Sequence, residues 1–163
     1  MVRIFDMIEP FGANKPGIIH RWLDRGKGKI TMAIANKKAV FHCDVKKVWD
    51  TVTSLDDYGW RSDLSRIEVL EPGSKFVEYT KDGIATTFTI TLLEPMKRYE
   101  FDMENENIHG HWAGLFFSED GKTLIDFTED VKTKKILLKP LISLYLKKQQ
   151  AAYVADLRKA LGA

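Results

Sequence analysis

Between Ile108 and Val131, side chains facing one way are mostly apolar on either side of Asp120-Gly121, the pattern of two strands that each bury one face. Asp-Gly favours the type I′ turn whose twist matches that of the flanking strands. Pairing Glu119 with Lys122 then sets a register. Phe116 opposes Ile125, Gly114 opposes Phe127, Trp112 opposes Glu129 and Gly110 opposes Val131, all on one face. That face is apolar except for one carboxylate, whereas the other pairs Leu115 with Asp126 and His111 with Asp130, as a surface meeting water would.

Five further strands are expected ahead of this pair or within it: Lys38 to Cys43, Leu64 to Leu70, Lys75 to Lys81, Ile84 to Leu93 and Arg98 to Glu104, with the hairpin strands at Ile108 to Phe117 and Thr123 to Val131. Pro72-Gly73, Asp82-Gly83, Glu94-Pro95 and Asn105 to Asn107 separate them, the spacing of an antiparallel meander. Tyr99, Phe101 and Met103 alternate with charged residues, and Thr86, Phe88 and Ile90 make the better inward set of their strand. Asp44 stands at an N-cap position before a helix whose inward stripe is Val45, Val48, Trp49 and Val52. Ser54 to Gly59 reads as a second short helix or turn. The C-terminal segment from about Ile136 to Leu161 reads as one long amphipathic helix. On it Leu138, Leu141, Ile142, Tyr145, Leu146, Ala152 and Tyr153 fall in one sector, and Lys147, Gln150, Ala151 and Arg158 in the other. Pro140 belongs in its first turn and Gly162 just past its end. The expected class is α+β: a curved antiparallel sheet of about seven strands around a long C-terminal helix, with two short helices after the first strand.

Residues 1–36 differ from the remainder, 37–163, in being punctuated by Pro10, Gly12, Pro16, Gly17, Gly26 and Gly28, and are read as an extension. Within it Ile18, Ile19, Trp22 and Leu23 precede Arg25, Lys27 and Lys29. Such a cluster would suit either a cap on the domain or a small anchor at a membrane surface. The 44% hydrophobic and 29% charged fractions are those of a globular chain. The formal net charge of +2 is too small to argue for nucleic acid. A single cysteine, Cys43, excludes an internal disulfide, and no Cys/His spacing suggests zinc. With no signal-peptide pattern and no spanning run of about 20 apolar residues, a cytoplasmic location is expected. No phosphate loop, dinucleotide fingerprint or nucleophile elbow appears, so no cofactor is expected. His109 and His111 share a face assigned to solvent, and no third ligand accompanies them. The oligomeric state is not set by the sequence.

From Lys38 to Leu161, about three quarters of the chain, the sequence resembles the START-related helix-grip (SRPBCC) superfamily, in particular its polyketide cyclase/dehydrase and lipid-transport-like members. The resemblance is carried by Phe41-His42-Cys43-Asp44-Val45-Lys46-Lys47-Val48-Trp49-Asp50, by Tyr58-Gly59-Trp60-Arg61-Ser62-Asp63-Leu64, by Glu94-Pro95, and by Gly121-Lys122-Thr123-Leu124-Ile125-Asp126-Phe127-Thr128-Glu129. It implies a sheet gripping the long helix, with a cavity between them that receives an apolar ligand.

The candidate lining is Trp60, Arg61, Phe88, Tyr99, Phe101, Trp112, Phe127, Glu129, Tyr145 and Gln149, with Tyr153 beside them. Glu129 in this register faces the cavity, where desolvation would raise its pKa; alternatively it sits hydrated at the end of the sheet or paired with a lysine. Trp60, Arg61 and Asp63 form either a lid with a cationic anchor for a ligand carboxylate or phosphate, or a self-stabilised loop with Trp60 plugging the core. Gln149 lies either in an apolar sector, needing a partner, or at an exposed end of the helix. Three functions follow. One is binding of a hydrophobic small molecule such as a lipid, fatty acid or polycyclic compound. The second is a cyclase/dehydratase-type enzyme using Glu129 or Tyr145, and the third is an interaction module with a solid core.

Overall fold

The computed structural model describes residues 31–133 and 139–162. Strands β1 (Thr31–Phe41), β2 (Leu64–Glu71), β3 (Lys75–Thr80), β4 (Ala85–Glu94), β5 (Arg98–Glu104), β6 (Ile108–Glu119) and β7 (Lys122–Thr133) form one antiparallel sheet in the order β1-β7-β6-β5-β4-β3-β2. Helix α1 (Val45–Thr53) follows β1, and helix α2 (Lys139–Leu161) closes the chain. The bounds of β2 through β7 agree with the sequence pattern to within two residues.

The hairpin register is the one deduced from Asp120-Gly121, with Trp112 opposite Glu129 and Phe116 opposite Ile125. Both turn residues have positive φ, 49° at Asp120 and 71° at Gly121, as a type I′ turn requires. Register shifts between Leu64 and Arg66 and between Val69 and Glu71 on β2, and between Ile90 and Leu92 on β4, are bulges, which bend and twist a strand locally.

Three expectations need correction. Strand β1 begins at Thr31, not Lys38, and pairs with β7 from Thr31↔Thr133 to Phe41↔Thr123, so residues 31–36 belong to the sheet. Its buried residues ahead of Phe41 are alanines, with Ala33, Ala35 and Ala39 at most 8% exposed, and such small side chains give a weak apolar signal. They are small because α2 packs against this strand. Second, Ser54 to Gly59 takes the turn, one of its two expected forms, and not a second helix: Ser54 Oγ accepts from the Asp57 amide at 2.9 Å and Tyr58 O from the Arg61 amide at 2.9 Å. Local hydrogen bonding of this kind competes with helix formation. Among the described residues one short helix therefore follows β1. It is capped as expected, Asp44 Oδ1 accepting from the Lys46 amide at 2.7 Å, and it buries Val48 and Trp49.

Third, the inward stripe of α2 is Ile142, Leu146, Gln150, Val154, Leu157 and Leu161, while Ala152 is exposed. A glutamine in mid-stripe turned the apparent apolar sector away from the true one. Pro140 does lie in the first turn and Gly162 ends the helix with φ 68°. The segment 1–30, with the cluster at Ile18 to Leu23 and His20, lies outside the described residues, as do 134–138. No helix among the described residues is long and apolar enough to cross a membrane.

The core is in two parts. One gathers Phe41, Val48, Trp49, Tyr99, Phe116, Ile125, Phe127, Val154, Leu157 and Leu161. The other gathers Ala33, Ala35, Phe76, Phe88, Met103, Val131, Ile142 and Leu146. Ile90, Phe101 and Trp112 pack against both. Along β7 the seam falls at Glu129, between Phe127 and Val131; along α2 it falls at Gln150, between Leu146 and Val154. The sheet and helix meet there through polar side chains, and there they leave space.

Candidate functional site

Two cavities lie along this seam, of about 120 and about 110 Å³. Glu78, Phe88, Met103, Glu129 and Gln149 line both and so stand between them. The first is walled by Trp60, Arg61, Tyr99, Phe101, Trp112, Phe127 and Tyr153, and the second by Asp63, Ile108, Val131, Ile142, Tyr145 and Leu146 among others. All ten residues singled out in the sequence line one cavity or both.

The aromatic wall is ordered by ring contacts. Phe101 stacks on Trp112 with centroids 4.9 Å apart and planes 4° apart, and Trp112 meets Phe127 at 4.8 Å. Tyr99 and Phe88 abut Phe101 edge-on at 5.3 and 5.2 Å. Gly114 makes this possible. A Cβ there would come within 2.3 Å of the Trp112 ring, so only glycine lets the indole lie flat along its own strand.

Glu129 is 8% exposed, opposite Trp112 in mid-strand, and not at the sheet's end. Burial pushes its pKa up to about 7, against the opposing pull of the Arg61 charge and a hydrogen bond from Gln150. Gln150, at 7% exposed, also donates Nε2 to Ala35 O at 3.3 Å, tying helix to edge strand. Its own Oε1 has no partner among the described residues, and neither has Trp60 Nε1; both atoms are buried. Gln149 is an exposed residue that nevertheless borders both cavities. Gln150, which sequence reasoning put on the outer side, is the buried amide.

Arg61 is held by its own protein. Nε and Nη2 donate to the two oxygens of Asp63 at 2.9 and 2.8 Å, and Nη1 and Nη2 to those of Glu78 at 3.2 and 3.4 Å. The guanidinium also lies over the Tyr153 ring, 4.9 Å from its centroid. Burial works against its charge, but Glu78 and Asp63 outweigh burial and raise its pKa. Burial also works against the charge on Asp63, but its hydrogen bond and proximity to Arg61 prevail and hold its pKa below the usual carboxylate range. Glu78, farther from the cation, is pushed up by burial and by Asp63. This matches the self-stabilised loop more closely than a free cationic anchor. Trp60 packs edge-on against Tyr153 at 5.1 Å and is part of the same assembly. Glu78 was missed from sequence because nothing local marks it: it lies 17 residues from Arg61, and only the fold brings its carboxylate to the guanidinium.

The histidines among the described residues stay apart from this site. His111 Nδ1 lies 2.7 Å from Asp102 on the outer face, and His42 is exposed just after β1.

Neither a protein-family model nor a curated protein sequence matches the chain. Solved structures do. A START superfamily protein from Mycobacterium smegmatis superposes with TM-score 0.73 at 9% identity, over 79% of this chain and 97% of that one. This is the START-related helix-grip fold. The Zhui aromatase/cyclase from Streptomyces sp. R1128 shares it with TM-score 0.72 at 12% identity, over 80% and 94% of the two chains. Ara h 8.0201 shares it with TM-score 0.63 at 15% identity, over 81% and 99%. In helix-grip terms, the cavities lie between the gripping sheet and the gripped helix, and identities this low establish the fold alone.

Proposed function

We propose that the protein binds a small apolar molecule in the chamber between sheet and α2 and does no chemistry on it. The observation carrying this reading is the composition of the first cavity: an aromatic wall in which Trp60 Nε1 and Gln150 Oε1 are buried without a hydrogen-bond partner among the described residues. Buried polar atoms are ordinarily satisfied, and leaving one unsatisfied costs about 1–3 kcal/mol. A guest with a polar group gives such atoms something to meet.

Size narrows the guest. A dry cavity of about 150 Å³ accommodates benzene, and the first cavity here is about 120 Å³. One ring or a short branched chain matches that volume, and a longer guest requires Phe88 and Met103 to move so that both cavities join. A two-chain lipid is too large. Burying roughly 200 Å² of ring surface at about 25 cal/mol per Å² supplies about 5 kcal/mol, a dissociation constant of a few tenths of a millimolar. Tighter binding must come from polar contacts.

The test is native mass spectrometry and Trp fluorescence titration with benzyl alcohol, beside vesicles of a two-chain phosphatidylcholine. One-to-one uptake of the alcohol without lipid extraction supports the reading; a protein that binds neither refutes it. A second reading, acid-base catalysis, is favoured by one observation: Glu129 is held near neutrality, where a carboxyl group can both give and take a proton. Guests recovered with altered mass, and unaltered after incubation with Glu129→Gln, would select that reading.

A further inference from the structure

The polar groups of the two cavities have a sign. Arg61 is the one cation among the described residues that line either cavity, and it is already engaged by Asp63 and Glu78 through four of its five N–H donors. With that cation matched by Asp63 and Glu78, Glu129 remains at the partition between the cavities, and among the described residues its hydrogen bond comes from Gln150. Beside that amide is the unpartnered Gln150 Oε1, itself an acceptor. Trp112, opposite Glu129 across the sheet, and Phe127, two residues before it on β7, line the first cavity with it, and aromatic rings attract positive charge. An anionic guest would meet carboxylates and, among the described residues, no available cation. A cationic one would meet a buried carboxylate, a free carbonyl oxygen and aromatic faces.

We propose that the guest is a small amine bound as its ammonium ion on an apolar or aromatic body, the ammonium seated at Glu129 beside the Gln150 carbonyl and the body against Phe101, Trp112 and Phe127. The inference rests on the cavity reading above and narrows it, setting aside fatty acids and phosphate headgroups. Binding converts Glu129 to its ionised form, so the proton held there below neutrality leaves as the ammonium enters. The other titratable groups facing this space are Arg61 and Asp63 from the loop before β2, Glu78 of β3, Tyr99 of β5, and Tyr58, Tyr145 and Tyr153; β1 and β6 contribute Ala35 and Trp112. Burial keeps Tyr99 and Tyr153 uncharged by raising their pKa values.

The experiment compares three probes of one shape, phenethylamine, 2-phenylethanol and phenylacetate, by calorimetry with the full chain from pH 5.5 to 8.5, where the amine stays protonated. The amine is expected to bind at least tenfold tighter than either analogue at pH 8. Its affinity should rise with pH up to about 7 and then level off. Glu129→Gln, checked for folding by circular dichroism, should abolish both the preference and the pH dependence. Equal or tighter binding of the alcohol or the carboxylate overturns the amine assignment while leaving the cavity reading intact. A pH dependence that survives in Glu129→Gln also overturns it, placing the contact at Glu78 instead. If none of the three binds, both readings fall.

Discussion

A buried carboxyl group whose pKa rises on folding makes the folded state take up protons, and this fixes the direction in which stability depends on pH. Glu129 goes from 4.5 in a solvated chain to about 7 in the fold because burial penalises its charge. Between these values the folded state holds more protons than the unfolded one, so stability is greatest below about pH 4.5 as far as this group is concerned. It is lost as pH rises to about 7 and is flat above. At about 1.4 kcal/mol for each pH unit, the interval corresponds to about 3 kcal/mol. Glu129→Gln keeps the shape and cannot ionise, so it should lack this loss. The assay is urea unfolding of wild type and variant at pH 5 and pH 8, taking the difference of differences so that Glu78, Asp63 and the other titrating groups cancel. The wild type should lose roughly 2–3 kcal/mol more than the variant between the two pH values. Identical pH dependence in the two proteins would refute the account of Glu129 as a desolvated carboxyl, and a steeper loss in the variant would reverse its sign.

Two other substitutions probe the walls of the site. Gly114→Ala sets a Cβ where the Trp112 ring now lies and should displace the indole, costing about 1–3 kcal/mol as overpacking does and changing the Trp fluorescence spectrum. An unchanged spectrum would show that Trp112 is not seated against Gly114. Arg61→Ala leaves Asp63 and Glu78 facing each other with no cation and should cost about 3–5 kcal/mol in urea unfolding; adding Glu78→Gln should recover part of that loss by removing one stranded charge. No recovery would mean that Glu78 is not held through Arg61.

The sheet was legible because its signals are local. Asp120-Gly121 fixes the turn, the turn fixes the register, and the register alone carries Glu129 to Trp112 and into the interior. The same logic placed Phe88, Tyr99 and Phe101 on the concave face. The start of β1 was obscured because its inward residues are alanines, chosen by the closeness of α2 and not by strand propensity. Gln150 could not be located from helical periodicity, since an apolar stripe is recognised by its apolar members and this amide interrupts it. The Arg61 assembly was half legible: Arg61 and Asp63 are neighbours in sequence, but Glu78 arrives from another strand, and only the fold brings it to the guanidinium.

The pairing of polar with polar at the junction of the two cores also governs how the helix may sit. Moving α2 one turn along its axis would set Leu146 or Val154 against the Glu129 carboxyl and strand the Gln150 amide among hydrocarbon, losing its bonds to Glu129 and Ala35. A wholly aliphatic rod would tolerate several such positions at little difference in energy, whereas one amide and one acid act as a key and its notch. The molecule thus keeps its hollow the same shape from copy to copy by means of two side chains that an ordinary core would leave out.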